Sequence, residues 1–238
     1  MKIPKLEQIE FSPLLWKEFL AADSVWKTIE EFYPYLRENA AKIDYCKGIE
    51  IDVSSTRIKK LINGYVVLDL LEWDRKIQLR FKMWQLFEDL VGEMMREALK
   101  ESDECTVVNV DRLIKGLDYV VTNSRSKDGW NVGIQCKRYI GSALPKCKLG
   151  KFGSWSRGTS AVQLTERGNE LRQRWGSKKK FVLVCFNAFR NNTQQDRRFG
   201  NLKKSWNCVM AIDKSKKSDT PYTYRIAIPE LDRIVSWC

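Results

Sequence analysis

The strongest constraint on the fold is a change of period along residues 81–187. Residues 81–100 (FKMWQLFEDLVGEMMREALK) place Phe81, Trp84, Phe87, Val91, Met94, Met95 and Ala98 at helical spacing. Strand-like runs follow at 105–110 (CTVVNV), 116–121 (GLDYVV) and 130–139 (WNVGIQCKRY). Between the last two lies SRSKDG, whose turn-forming residues predict an antiparallel hairpin. Residues 159–175 return to helical spacing through Val162, Leu164, Leu171 and Trp175, and 180–187 (KFVLVCFN) reads as a buried strand. Further strands are expected at 206–213 and 222–228. The order helix, strand, strand, strand, helix, strand predicts an α/β domain, a mixed sheet flanked by helices.

Residues 1–75 read as a mainly helical N-terminal region for recognition or dimerisation, and 76–238 as the domain that carries the chemistry. Ser12-Pro13 is a helix start, with an apolar stripe through Leu20; Asp23-Ser24 caps a second helix to Phe32. Helices over 35–43 and 56–62 and a short strand near 49–53 complete this region. No apolar run approaches the ~18 residues of a membrane span, and the N-terminus lacks the pattern of a signal peptide. Seven cysteines form no CxxC pair or zinc spacing. Cys105, Cys136, Cys185 and Cys208 lie in strand-like runs as small hydrophobes, which implies a reducing cytoplasm.

The chain has 42 Lys and Arg against 30 Asp and Glu, a net charge of +12. Residues 145–217 hold 18 of those cations and only Glu166, Glu170, Asp196 and Asp213, or +14, leaving 24 cations against 26 acids elsewhere. Such asymmetry points to a polyanion partner. Trp155, Trp175, Phe189, Phe199 and Trp206 are interleaved with the cations, either for base stacking or as core beneath a solvated basic face.

The absence of histidine excludes Ser-His-Asp and Cys-His catalysis, His-ligated zinc and HNH-type nuclease sites. One constellation of carboxylate, amide and amine remains. Asp118 begins one hairpin strand, and Gln135 and Lys137 lie two apart on the other, on one face, with Cys136 turned to the opposite face. Phosphodiester hydrolysis uses such a set: oxygen ligands hold a hard cation, and an ammonium beside it orients the nucleophile and neutralises developing charge. The bland alternatives are an exposed helical Glu88, a strand-starting Asp118 and a Lys137 on a solvated edge.

GLDYVV…VGIQCKRY resembles the Mrr-type branch of the PD-(D/E)xK nuclease superfamily, in which the last motif is often Gln-x-Lys. Phe87-Glu88 resembles that branch's FE helix, and the element order matches its restriction-endonuclease-like αβββαβ core. The resemblance covers roughly 81–187. It implies Asp118 as the central metal ligand, with the Gln135 side-chain oxygen and the Cys136 carbonyl also on the metal. It further implies Lys137 as the catalytic ammonium and Glu88 as ligand to a second metal or to a metal-bound water. Relative to superfamily members with a carboxylate in the last motif, Gln135 removes a negative charge and weakens intrinsic metal affinity.

The expectation is a Mg²⁺-dependent endonuclease on double-stranded DNA, with Mn²⁺ as the substitute metal. It would act as a site-selective homodimer of the restriction or homing type, with no membrane association and no small-molecule cofactor. Arg138, Lys146, Lys148, Lys151, Arg157, Lys203 and Lys204 are the expected DNA contacts. A Holliday-junction resolvase and a non-catalytic DNA-binding module on a nuclease fold are the competing readings.

Overall fold

The structure, a computed structural model, describes residues 48–73, 83–110, 113–126, 129–138, 161–186, 200–212, 215–216 and 223–238. The helices expected within 12–43 lie outside these residues. Chain contacts divide the protein into two compact units. One comprises Met1–Glu97 with Lys214–Ala227, the other Ala98–Asp213 with Ile228–Cys238.

In the first unit, strand β1 (Gly48–Asp52) is followed by helices α1 (Thr56–Trp73) and α2 (Met83–Ala98, whose last residue crosses the boundary). Ser55 caps α1, its Oγ accepting the Ile58 N–H at 3.3 Å while donating to Glu97 Oε1 at 3.1 Å. Arg57 ties the two helices, reaching Glu93 at 2.9 Å and Glu97 at 3.4 Å. Beneath this polar seam Ile58, Leu61, Ile62, Tyr65 and Val66 are buried on α1, as are Leu86, Phe87, Leu90, Val91 and Met94 on α2. Tyr65 and Phe87 stack at 5.6 Å. The helix expected over 56–62 thus runs eleven residues further, because Tyr65 and Val66 continue its apolar face.

The second unit holds the central sheet, built from β2 (Cys105–Asn109), β3 (Tyr119–Asn123), β4 (Val132–Lys137), β5 (Lys180–Phe186) and β6 (Cys208–Ile212). They lie in sequence order. β2, β3 and β4 form an antiparallel meander, and β4, β5 and β6 are parallel. Helix α3 (Ala161–Trp175) connects β4 to β5, and a short helix over 200–205, α4, precedes β6. This is the mixed α/β sheet that the sequence predicts, with α4 as an element that its pattern does not reveal. β5 is buried at every residue after Lys180, as a parallel strand covered on both faces should be. At the edge, β2 buries Val107 and exposes Thr106 and Val108.

One face of the sheet presents Val120, Phe181, Leu183, Cys185 and Val209 to Ala161, Leu164 and Leu171 of α3 and to Leu202 and Trp206. Trp206 Nε1 donates to the Leu164 carbonyl at 2.9 Å. That approach needs Gly168, where a Cβ would sit 2.7 Å from Trp206 Nε1.

Strand β7 (Ser215–Lys216) and strand β8 (Thr223–Ala227) belong to the first unit, where β8 pairs parallel to β1 and antiparallel to β7. Helix α5 (Glu230–Val235) packs on β6 through the second unit's last segment. Among the described residues no helix is long and apolar enough to cross a membrane.

Candidate active site

The site grows from a mismatch in strand length. β3 pairs with β4 only through Tyr119↔Ile134, Val120↔Gly133 and Val121↔Val132, so Gln135, Cys136 and Lys137 extend beyond the antiparallel ladder. On their other side all three stay paired with β5, Lys137 opposite Cys185. The chain entering β3 closes the gap. The Asp118 N–H donates to the Ile134 carbonyl at 2.8 Å, and its own carbonyl accepts from the Val110 N–H at 2.9 Å. Asp118 therefore stands just before β3 rather than inside it, pinned on both sides.

Continuing the register puts Asp118 opposite Gln135, with both side chains on one face. Asp118 Oδ2 accepts from Gln135 Nε2 and from the Cys136 main-chain N–H, each at 2.5 Å. The carboxylate thus replaces the backbone acceptor that β3 does not supply to Cys136. Asp118 is 8% exposed and Gln135 5%, an acid and an amide held in the protein interior. Lys137 follows on the same face about 7 Å along the strand. It is half-buried and makes no hydrogen bond or ion pair with any described residue. Cys136 points to the opposite face and is buried, as expected.

Two glycines allow the arrangement. Gly116 has φ +92°, a left-handed conformation that sets the turn two residues before Asp118. At Gly133 a Cβ would meet Leu117 Cδ1 at 2.7 Å and Trp130 Cζ3 at 3.2 Å, so the missing side chain makes room for Leu117 beside Asp118.

Arg167 is a neighbour that sequence reasoning missed. A Cβ on Gly116 would lie 2.6 Å from Arg167 Cδ, so this side chain of α3 crosses the turn into Asp118. Its guanidinium also pairs with Glu170 at 3.0 Å. Residues 116 and 167 are 51 apart, and on a helix surface an Arg three residues before an Asp or Glu is ordinary, so no sequence signal marks it.

The structure brings Asp118, Gln135 and Cys136 into direct contact, with Lys137 next in line. Glu88 belongs to the first unit, half-buried on α2 beside the buried Phe87. Arg138 follows Lys137 and is half-buried. Lys203 and Lys204 are exposed on α4. Lys146, Lys148, Lys151 and Arg157 lie outside the described residues.

Among the described residues no three His, Cys, Asp or Glu side chains converge on a common point. The expected ligand set has a single carboxylate in this unit, Asp118, with an amide and a main-chain carbonyl beside it. Those oxygen donors suit a hard divalent cation in kind. Gln135, however, turns its amino end to Asp118, so its Oε1 joins the carboxylate on a shared cation only after the amide turns over. Comparison with protein-family models, with curated proteins and with solved structures gives no match, and the likeness to the nuclease branch rests on the motif residues themselves.

Proposed function

We propose that the protein is a Mg²⁺-dependent endonuclease of double-stranded DNA, with a centre like that of the Mrr-type PD-(D/E)xK enzymes. The carrying observation is the buried Asp118 carboxylate, hydrogen-bonded to Gln135 and to the Cys136 N–H, with the uncommitted Lys137 next on the same strand face. The order of an antiparallel meander followed by a parallel crossover is compatible with the αβββαβ core of that superfamily and supports the reading. A bound divalent cation supplies Lewis-acid stabilisation of a phosphoryl group under attack.

The chain's own residues do the rest. The Cys136 N–H orients the Asp118 carboxylate by donating to Oδ2. Lys137 offsets the negative charge that develops on the phosphate oxygens. The absence of a carboxylate at 135 makes metal retention weaker, so Gln135→Glu should lower the Mg²⁺ concentration giving half-maximal cleavage. Site selectivity, a homodimer and a reducing cytoplasm belong to this reading, the last supported by the free thiols of all five described cysteines.

One observation favours the competing reading of a binding module. Asp118 Oδ2 is already occupied by two donors from the protein. Incubation with supercoiled, linear and branched DNA, in Mg²⁺ and in EDTA, separates the readings. Cleavage that needs Mg²⁺ and vanishes in Asp118→Ala and Lys137→Ala is expected. Failure to cut any of these substrates refutes the enzyme, and exclusive cutting of branched DNA makes it a junction resolvase.

A further inference from the structure

The cations of the second unit do not all gather around Lys137. Along the parallel strands the site lies at the end marked by Lys137 and Cys185, whereas Val132 and Lys180 mark the opposite end. Five residue steps separate the two ends, about 17 Å. At that far end the last turn of α3 runs through residues 176–179 into β5, and α4 runs through 206–207 into β6. The two connections are stitched together: Arg172 Nη1 donates to the Lys204 carbonyl at 2.8 Å, and the Asn207 side chain and main chain both bond Phe181 at 2.9 Å.

The segments joined in this way are uniformly basic. Residues 171–180 carry Arg172, Arg174, Lys178, Lys179 and Lys180, and 200–207 carry Lys203 and Lys204, seven cations with no Asp or Glu in either segment. Arg172, Arg174, Lys178, Lys203 and Lys204 are exposed. The preceding acid on α3, Glu170, is engaged by Arg167. Across the sheet Glu230 of α5 raises the Cys208 thiol while Arg233 and the patch residue Lys203 lower it, so one acid and two cations bear on that position. Arg172 and Arg174 also suit a helix C-terminus, where cations are favoured. That role does not account for Lys178, Lys203 or Lys204. Arg174 lies 5.3 Å over the half-buried Trp175 ring, and the buried Lys179 ammonium is 4.7 Å from the Trp130 ring and donates to the Trp130 carbonyl. These contacts anchor the patch to the core.

We infer that this far end is a second docking surface for the backbone of duplex DNA, set apart from the cleavage centre; the choice of DNA rests on the reading above. A strand carries one phosphate per about 3.4 Å, so 17 Å corresponds to roughly five nucleotides between the centre and the patch. The surface holds phosphates without reading bases, and its contribution is therefore salt-dependent and sequence-independent.

The test is a salt titration of binding to a fluorescent 30-base-pair duplex, in EDTA and on the Lys137→Ala background so that nothing is cut. Each lost phosphate contact reduces the slope of log K against log salt by about 0.9. Arg174→Gln, Lys178→Gln and Lys204→Gln together should lower the slope by about two to three and weaken binding at least tenfold at 0.1 M salt. Thermal melting should not change. Singly, Lys178→Gln and Lys204→Gln should each lower the slope by about one, which keeps the test open if the triple variant folds poorly. Arg96→Gln with Lys100→Gln, both exposed and outside the expected recognition region and DNA contacts, is the control. A patch variant with the parent's slope, or an equal loss in the control, overturns the inference. Tighter binding of a single-stranded RNA of the same length overturns duplex DNA as the partner. A wild-type protein that never cuts DNA yet shows the patch-dependent slope refutes the nuclease reading and leaves this surface standing.

Discussion

Gly133→Ala tests how the sheet positions Asp118. The new methyl carbon would lie 2.7 and 3.1 Å from the two terminal carbons of Leu117 and 3.2 Å from Trp130. Carbon atoms in contact prefer 3.5–4.0 Å, so Leu117 must move by about 1 Å. It is 2% exposed in the packed cluster beneath α3 and has little room to do so. Overpacking of this kind costs about 1–3 kcal/mol, which for a protein of this length lowers Tm by about 2–12 °C. The larger effect falls on the site, because Leu117 is bonded to Asp118, whose two 2.5 Å contacts tolerate no such displacement. On the proposed nuclease reading, DNA cleavage should fall at least tenfold at a temperature where the variant remains folded. A double-mutant cycle isolates the cause. Leu117→Ala alone should cost about 2–5 kcal/mol by opening a cavity. Combined with Gly133→Ala it should cost less than the sum by more than 1 kcal/mol, since the new methyl occupies the vacated space. Additive values, or a Gly133→Ala variant with unchanged Tm and activity, would refute the argument that this glycine exists to admit Leu117.

The remaining predictions concern packing and titration. Gly168→Ala puts a methyl 2.7 Å from Trp206 Nε1 and 3.0 Å from the Ser205 carbonyl, and should lower Tm through lost α3 packing; an unchanged melting curve would contradict it. Burial raises the Asp89 carboxyl above the ordinary aspartate range, Arg96 opposing and Glu93 adding to the shift. Its contribution is complete below about pH 4 and is lost as pH rises through the raised value. Asp89→Asn should therefore raise Tm at pH 7 with a gain that disappears near pH 4, and a pH-independent difference would count against it. Burial, with Glu230 adding, pushes the Cys208 thiol up to about 11, and burial with Cys105 beside it pushes Cys238 to about 12. Both should resist iodoacetamide at pH 8 and react on unfolding; rapid labelling of either in the native protein, read by peptide mass, would refute this.

The element order from α2 to β5 was legible because period carries it: α2, the β3–β4 hairpin and β5 stand within a few residues of expectation. So was the shared register of Asp118, Gln135 and Lys137, since a hairpin with a six-residue turn converts a sequence spacing into a register. What escaped was made by distant contact. Nothing local in TYRIA says that β8 pairs with β1 instead of joining the central sheet. Likewise, no pattern near Gly116 announces that Arg167 crosses it. Even within the visible motif, the direction of the Gln135 amide was set by a neighbour, the Asp118 carboxylate, and not by the Gln-x-Lys spacing.

The pairing of β1 with β8 has a temporal consequence. Gly48 lies opposite Thr223, 175 residues later, and most of the intervening chain belongs to the other unit. At translation rates of 5–20 residues per second, β1 waits roughly 9 to 35 s for its partner to be synthesised. Closing a free loop of that length costs about 4–5 kcal/mol in the logarithmic term alone. Prior pairing of β2 through β6, all made between β1 and β8, shortens the flexible path and removes much of that cost. The small sheet therefore cannot assemble before β8 is made, and until then β1 is an unpaired edge on the nascent polypeptide.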